Sequence, residues 1–267
     1  MEPILLLCIR QHHLFQFILG VVEGVTEFLP ISSTGHLILT ARLLGMEPSE
    51  FLKSFEIVIQ SGAICAVLFL YGGLLLKNPQ VLKKVLAAFV PTAIVGAILY
   101  KVIKHFFLGN ENVVLWSMFV GGIFLVLFEL IHKEKEDAQG DLSAITYSQA
   151  CLIGLAQSLA MIPGVSRAAA TIIGGLLLGL KRRTIVEFSF LLAIPTMLAA
   201  TGLDLIKSAH TFSANQFVFL ATGFIISLLV AVLSIKFLLY YIKNHSFIPF
   251  GIYRILIAVI FWIWLAQ

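Results

Sequence analysis

The sequence predicts an all-α polytopic membrane protein: six transmembrane helices plus two re-entrant helix-loop-helix hairpins, arranged as inverted-topology repeats. Three observations predict it. Hydrophobic residues fill 60% of the 267 positions, charged residues only 12%, and the mean hydropathy is +1.01, so too little polar surface exists to cover a water-soluble globule. Six apolar runs are long enough to span about 30 Å of hydrocarbon. Two further apolar stretches break near their middles with Pro, Gly, Ser and Thr.

The six runs cover 55–76, 84–103, 113–131, 186–206, 216–241 and 249–266. The interrupted stretches are 14–46, broken at LPISSTGH, and 146–180, broken at IPGVSRAAAT. Each half has only about 13–17 residues, too short to cross as a helix. They read as hairpins that enter and leave on one face, with irregular backbone tolerated where protein or a wet cavity surrounds it. The opening MEPILLLCIRQHH lacks a basic n-region and a small-residue cleavage site, so the first helix itself is expected to direct insertion. Cys8, Cys65 and Cys151 stand singly in apolar surroundings, which points to buried small side chains rather than a disulfide framework or structural zinc.

The net charge of +4 comes without a basic stripe and interleaved aromatics, so nucleic acid is not an expected partner. The charges read as topology signals. With the 132–146 loop inside, the inner set is Lys77, Lys83, Lys84, Lys133, Lys135, Lys181, Arg182, Arg183, Lys236, Lys243 and Arg254. The outer set is Arg10, Arg42, Lys53, Lys101, Lys104 and Lys207, and Arg167 is left within the membrane, which accounts for all 18 basic residues. This obeys the positive-inside rule and puts both termini outside. One integral membrane domain, 1–267, then divides into repeat 12–133 (hairpin 14–46 plus three spans) and repeat 146–267 (hairpin 146–180 plus three spans). GVVEGVTEFLPISS at 20–33 aligns with GLAQSLAMIPGVS at 154–166 across one gap, pairing Gly20 with Gly154, Glu23 with Gln157, Pro30 with Pro163 and Ser33 with Ser166. Paired interrupted segments of this kind mark a midplane site between repeats. HKEKEDAQGD reads as the solvated loop joining the halves.

Glu23 and Glu27, four apart, share a helix face and can bind a divalent cation or divide acid and base roles. Ser32, Ser33, Thr34, Gly35 and His36 follow within one short segment. A helix beginning near Ser33 would offer free amides and its positive dipole end to a phosphate. Ser33 and His36 are one turn apart, so they can act as nucleophile and base, or His36 can attack directly. Ser166, Arg167 and Thr171 lie in the second hairpin, where Arg167 needs an anion or a hydrated cavity. It can clamp a diphosphate, form an ion pair with Glu23 or Glu27, or do both. Glu129, Gln157, Glu187 and Asp204 fit helix ends or interhelical hydrogen bonds equally well. His12, His13, His105, His132, His210 and His245 lack metal-ligand spacing.

At these residues the chain resembles the undecaprenyl-diphosphate phosphatases, also called bacitracin-resistance proteins, essentially from end to end. The motifs are EGVTEFLPISSTGHL at 23–37 and PGVSRAAAT at 163–171, supported by FEIVIQ at 55–60 and EFSFLLAIP at 187–195. The resemblance implies hydrolysis of undecaprenyl diphosphate to the monophosphate plus phosphate, which recycles the carrier for cell-wall polysaccharide synthesis and confers bacitracin resistance. It implies a divalent cation (Mg²⁺ or Ca²⁺), a site opening to the outer face of the bacterial cytoplasmic membrane, and catalytic roles for Glu23, Glu27, Ser33 and His36. Arg167 matches the phosphate-binding arginine, with Ser166, Thr171, Ser32 and Thr34 as further candidates for the diphosphate. Ala168 stands where the family pattern carries Ser, so one hydroxyl is missing. The expected partners are a polyprenyl diphosphate and membrane lipids, with a homodimer left open. The rival reading is a polyprenyl-phosphate transporter or flippase using the same cavity, since broken helices in inverted repeats are transporter architecture.

Overall fold

The computed structural model describes residues 2–47, 49–106, 110–134, 138–208 and 214–266. Lys135 and His210 fall outside this set, as do the side chains of Cys8, Arg10, His12, His13, Lys104, Asp204 and Lys207. The chain folds into α1 (Glu2–Thr26), α2 (Ser33–Leu43), α3 (Glu50–Lys77), α4 (Pro79–Phe106), α5 (Glu111–Ile131), α6 (Tyr147–Gln157), α7 (Arg167–Leu177), α8 (Arg182–Ser208), α9 (Ala214–Tyr241) and α10 (Ile248–Leu265). Among the described residues there is no strand, only an isolated bridge between Gln139 and Leu180. Six helices, α3, α4, α5, α8, α9 and α10, are long and apolar enough to cross a membrane. They coincide with the six apolar runs, and large side chains such as Phe69, Leu76, Trp116 and Phe217 face outward on them. The protein is a multi-pass membrane protein.

Local chemistry sets the helix starts. Ser49 caps α3 at Leu52, Asn110 caps α5 at Asn112 and Val113, and Thr146 forms a capping box with Gln149 on α6. Asp141 caps the 3-10 turn Leu142–Ala144, and hydrogen bonds from the Ser143 hydroxyl and amide hold its carboxyl below the usual range. One boundary differs from expectation: α1 begins at Glu2 and runs 25 residues, rather than starting near 14. The reason is local, since Pro3 sits in the first turn, where its missing N–H is harmless, and nothing after it breaks a helix. Its part Leu14–Thr26 is a shorter apolar helix.

The two interrupted segments are built alike. Helices α2 and α7 have 11 residues each, about 16 Å, half the hydrocarbon thickness. Ser32 (φ 75°) and Ser166 (φ 76°) precede them in the left-handed region, each accepting from the amide three residues on, Gly35 and Ala169. One spacing separates Gly20 from Gly154, Ser32 from Ser166, Leu43 from Leu177 and left-handed Gly45 from Gly179. The matching cap residues are therefore Ser32 and Ser166. The gapped alignment that pairs Ser33 with Ser166 is out of step by one residue.

Packing is reciprocal: α1 and α3 lie on α9, while α6 and α8 lie on α4, and α3 meets α8 as α5 meets α10. Helix α6 approaches α4 closely enough for Thr92 Oγ1 to donate to the Gly154 carbonyl at 2.7 Å. Gln157 Nε2 then donates to the hydroxyls of Thr92 and Thr196, both at 3.0 Å, so its polar group is used between helices. At the other end Arg182 pairs with buried Glu129 at 2.7 Å and covers the Phe247 ring. Cys65 and Cys151 are free and half-buried. Two charges of the inner set, Lys84 and Arg254, are buried. Lys84 donates to the Ser143 carbonyl, and Arg254 of α10 is wholly buried, its guanidinium donating to three backbone carbonyls from other segments.

A Cβ on Gly154 would fall 1.8 Å from the Ala88 carbonyl oxygen. Gly154→Val should therefore cost about 1–3 kcal/mol by overpacking, read as a lower Tm in detergent micelles. Gly72→Ala, at a position with nothing within 4 Å, should leave Tm unchanged or slightly raised.

Candidate functional site

The first turn starts where α1 ends. The Glu27 amide still donates to the Glu23 carbonyl, so the two carboxylates share one helical face as their spacing predicted. The chain then bends through Pro30 and reaches Ser32, whose left-handed backbone is unfavourable for a residue with a Cβ. Its hydroxyl accepts from Gly35 and its carbonyl from the His36 amide. The second turn repeats this at Ser166, whose hydroxyl and carbonyl accept from the amides of Ala169 and Ala170. Two strained serines thus open two helices, leaving the first amides of each without intrahelical partners.

Between these helix starts sits a three-residue relay. Ser33 Oγ donates to Glu27 Oε2 at 2.5 Å, and Arg167 Nη2 donates to Glu27 Oε1 at 2.9 Å. Arg167 Nη1 reaches the Ser189 carbonyl at 2.8 Å and its hydroxyl at 3.4 Å. The Ser189 hydroxyl bonds Thr171 Oγ1 at 2.6 Å. The guanidinium rests 5.7 Å from the centre of the Phe28 ring, itself edge-on to Phe190 at 5.3 Å. Arg167 Nε is buried with no hydrogen-bond partner among the described residues. The Nε–H donor is thus left over after the protein's own contacts are made.

Glu23 lies fully buried beside Glu27, within electrostatic range of Glu56 and Arg167. Both its oxygens lack a hydrogen-bond partner among the described residues. Among the described residues, no cluster of three or more His, Cys, Asp or Glu suited to a metal occurs. A hard cation held by one or two carboxylates, with phosphate oxygens and water completing its shell, suits that donor set.

His36 lies apart from this relay. Its Nδ1 meets the Ser32 carbonyl at 2.7 Å, and its Nε2 meets the Tyr253 hydroxyl at 2.9 Å, with the rings stacked at 5.4 Å. A carbonyl only accepts, so Nδ1 carries a proton, and a neutral ring then turns its Nε2 lone pair to Tyr253. Ser33 has Glu27, not His36, as its acceptor. Thr34 is exposed, and Ser32 and Ser166 act as caps. The structure thus brings Ser33, Glu27, Arg167 and Thr171 into one hydrogen-bonded group with Glu23 alongside. Ser189 and Tyr253 carry no role in the sequence reading, and Arg254 only that of a topology charge; Ser189 and Tyr253 are polar groups inside apolar runs, which is the signal that could have marked them.

A profile of the family described as bacitracin resistance protein BacA matches residues 16–260. The chain is 50% identical over 247 residues to an undecaprenyl-diphosphatase of a Sulfurihydrogenibium species, covering 92% of this chain and 97% of that protein. It is 51% identical over 244 residues to the undecaprenyl-diphosphatase of Aquifex aeolicus, covering 91% and 95%. A Campylobacter jejuni undecaprenyl-diphosphatase is 48% identical over 250 residues, covering 93% of each chain.

Because Glu27 and Arg167 are in contact and largely buried, their substitutions should not add. Glu27→Gln with Arg167→Met should destabilise less than the two single changes summed, by a coupling of about 0.5–3 kcal/mol. Thermal unfolding of the four proteins in detergent measures the cycle.

Proposed function

Since this chain belongs to the bacitracin resistance protein BacA family, we propose that it hydrolyses undecaprenyl diphosphate to undecaprenyl phosphate and inorganic phosphate, recycling the lipid carrier for cell-wall synthesis. The observation that carries the reading is the Ser33–Glu27–Arg167 relay: a hydroxyl hydrogen-bonded to a carboxylate that a guanidinium holds in place. Ser33 Oγ attacks the distal phosphorus while its proton passes to Glu27. The bond from that phosphorus to the bridging oxygen breaks, and undecaprenyl phosphate leaves with the proton that Glu27 returns to it, which frees the carboxylate again. Water then attacks the phosphoserine with Glu27 as base, releasing phosphate and restoring the hydroxyl.

The helix starts at Ser33 and Arg167 offer amides and positive dipole ends to the transferring group, and Arg167 Nε is the donor left for it. Charge stabilisation of this kind supplies most of the gain in phosphoryl transfer. Glu23, with Glu27, would hold a divalent cation, Mg²⁺ or Ca²⁺, which would neutralise phosphate charge. His36, tied to Tyr253, orders the start of α2 in this reading. Ser166 and Ser32 shape the turns, and Thr171 steadies Arg167 through Ser189.

The architecture belongs to the same proposal. Residues 12–133 and 146–267 form two inverted repeats, with 14–46 and 146–180 as re-entrant hairpins. Support comes from the evenly spaced caps at Ser32 and Ser166 and from the reciprocal packing of α1 and α3 on α9 and of α6 and α8 on α4. The positive-inside count orients the site toward the outer face of the cytoplasmic membrane, with both termini outside. The same architecture suits a polyprenyl-phosphate carrier, but a carrier needs only anion clamps, whereas here a hydroxyl rests on a carboxylate base.

Purified protein in detergent, given a C55 isoprenyl diphosphate with Mg²⁺ or Ca²⁺, should release phosphate, and chelation should stop it. Glu27→Gln should lower kcat by about 10²–10⁴-fold, Ser33→Ala by at least as much, and Arg167→Ala comparably, while His36→Ala retains more activity than Ser33→Ala. No release by the wild type would end the enzyme reading, and full activity in Ser33→Ala would remove the proposed nucleophile.

A further inference from the structure

Arg254 is a fully buried guanidinium that forms no ion pair with any described carboxylate. Its partners are backbone carbonyls alone: Pro30 at 3.4 Å from Nη1, and Gly164 at 3.0 Å and Ser117 at 3.1 Å from Nη2. Pro30 and Gly164 occupy the same place in the two turns, each two residues before the left-handed serine. In irregular backbone within hydrocarbon such carbonyls have no helical ladder to satisfy them, and each would otherwise stand unpaired. A single cation therefore satisfies both turns and ties them to each other and to α5.

Space for it is made on α5. A Cβ on Gly121 would fall 2.3 Å from Arg254 Nη2 and 3.0 Å from its Cζ. The neighbouring Tyr253 holds His36, so consecutive residues of α10 grip the start of α2 and both turns. Arg254 itself contacts neither Glu27 nor Ser33 nor Arg167.

We propose that Arg254 is a positioning residue: by holding the Pro30 and Gly164 carbonyls, it fixes the two turns at the separation that brings Ser33 and Arg167 onto Glu27. The kinetic consequence rests on the phosphohydrolase reading; the structural consequence stands without it.

Two variants test the role from opposite sides. Arg254→Met removes all three hydrogen bonds, whereas Gly121→Ala keeps the arginine but pushes its guanidinium from its seat, and serves alone if the first variant fails to fold. Spin labels at Leu43→Cys and Leu177→Cys, the exposed ends of α2 and α7, report their separation by pulsed EPR once the three native cysteines are replaced. The parent should give one narrow distance distribution, and both variants a broadened or displaced one. With a C55 isoprenyl diphosphate, both should lose about hundredfold in kcat while KM moves less than about threefold. Arg254→Lys should recover part of the loss, and Gly121→Ala should add nothing in the Arg254→Met background. An unchanged distance distribution in the variants, or wild-type kcat in Gly121→Ala, overturns the proposal. If the wild type releases no phosphate, the function reading falls and the distances alone decide the role of Arg254.

Discussion

The contact between Glu27 and Arg167 is the interaction on which the site depends, because neither charge is tolerable alone when so largely buried. One partner follows α1 and the other begins α7, so the contact joins the two interrupted segments. Once made, it leaves one Glu27 oxygen for Ser33 and one Arg167 nitrogen unused. Both leftovers point to chemistry. A structural ion pair has no need of a hydroxyl at 2.5 Å on its carboxylate, and that contact is the stronger pointer, because Arg254 Nε is orphaned in the same way as Arg167 Nε.

The backbone provides the rest of the frame. The two turns hold buried carbonyls and amides outside any helical ladder, and two sets of side chains satisfy them. Ser32 and Ser166 serve the amides of α2 and α7, Arg254 serves the carbonyls of the turns, and Ser189 receives the remaining arm of Arg167. The left-handed serines are held in strained geometry because these contacts over-determine them. Phe28 and Phe190 close the base of the site and keep the dielectric low, which strengthens every polar contact inside it.

Much of this was legible in the sequence. Hydropathy marked all six spanning helices to within a few residues, since lipid rewards apolar length directly. Breaks at Pro30 and Pro163 marked both turns, and four-residue spacing brought Glu23 and Glu27 to one face. What escaped depends on tertiary contact. Arg254 reads as a flanking topology charge because charge counting sees only its place near the start of an apolar run; its burial follows from carbonyls contributed by residues far away in sequence. His36 stands one turn from Ser33 and invites pairing with it, yet Tyr253 on α10 claims its ring. The one-residue slip between the turns arose because Pro30 and Pro163 look equivalent, whereas the cap conformation makes Ser32 and Ser166 the matching pair.

In the proposed reaction Ser33, activated by Glu27, carries the phosphoryl group. Rapid quenching of wild-type protein with a C55 isoprenyl diphosphate labelled in its distal phosphate, followed by peptide mapping, tests this directly. A transient label should appear on Ser33 and be absent from Ser33→Ala. A label on His36, or rapid turnover with no covalent label at any quench time, would contradict it.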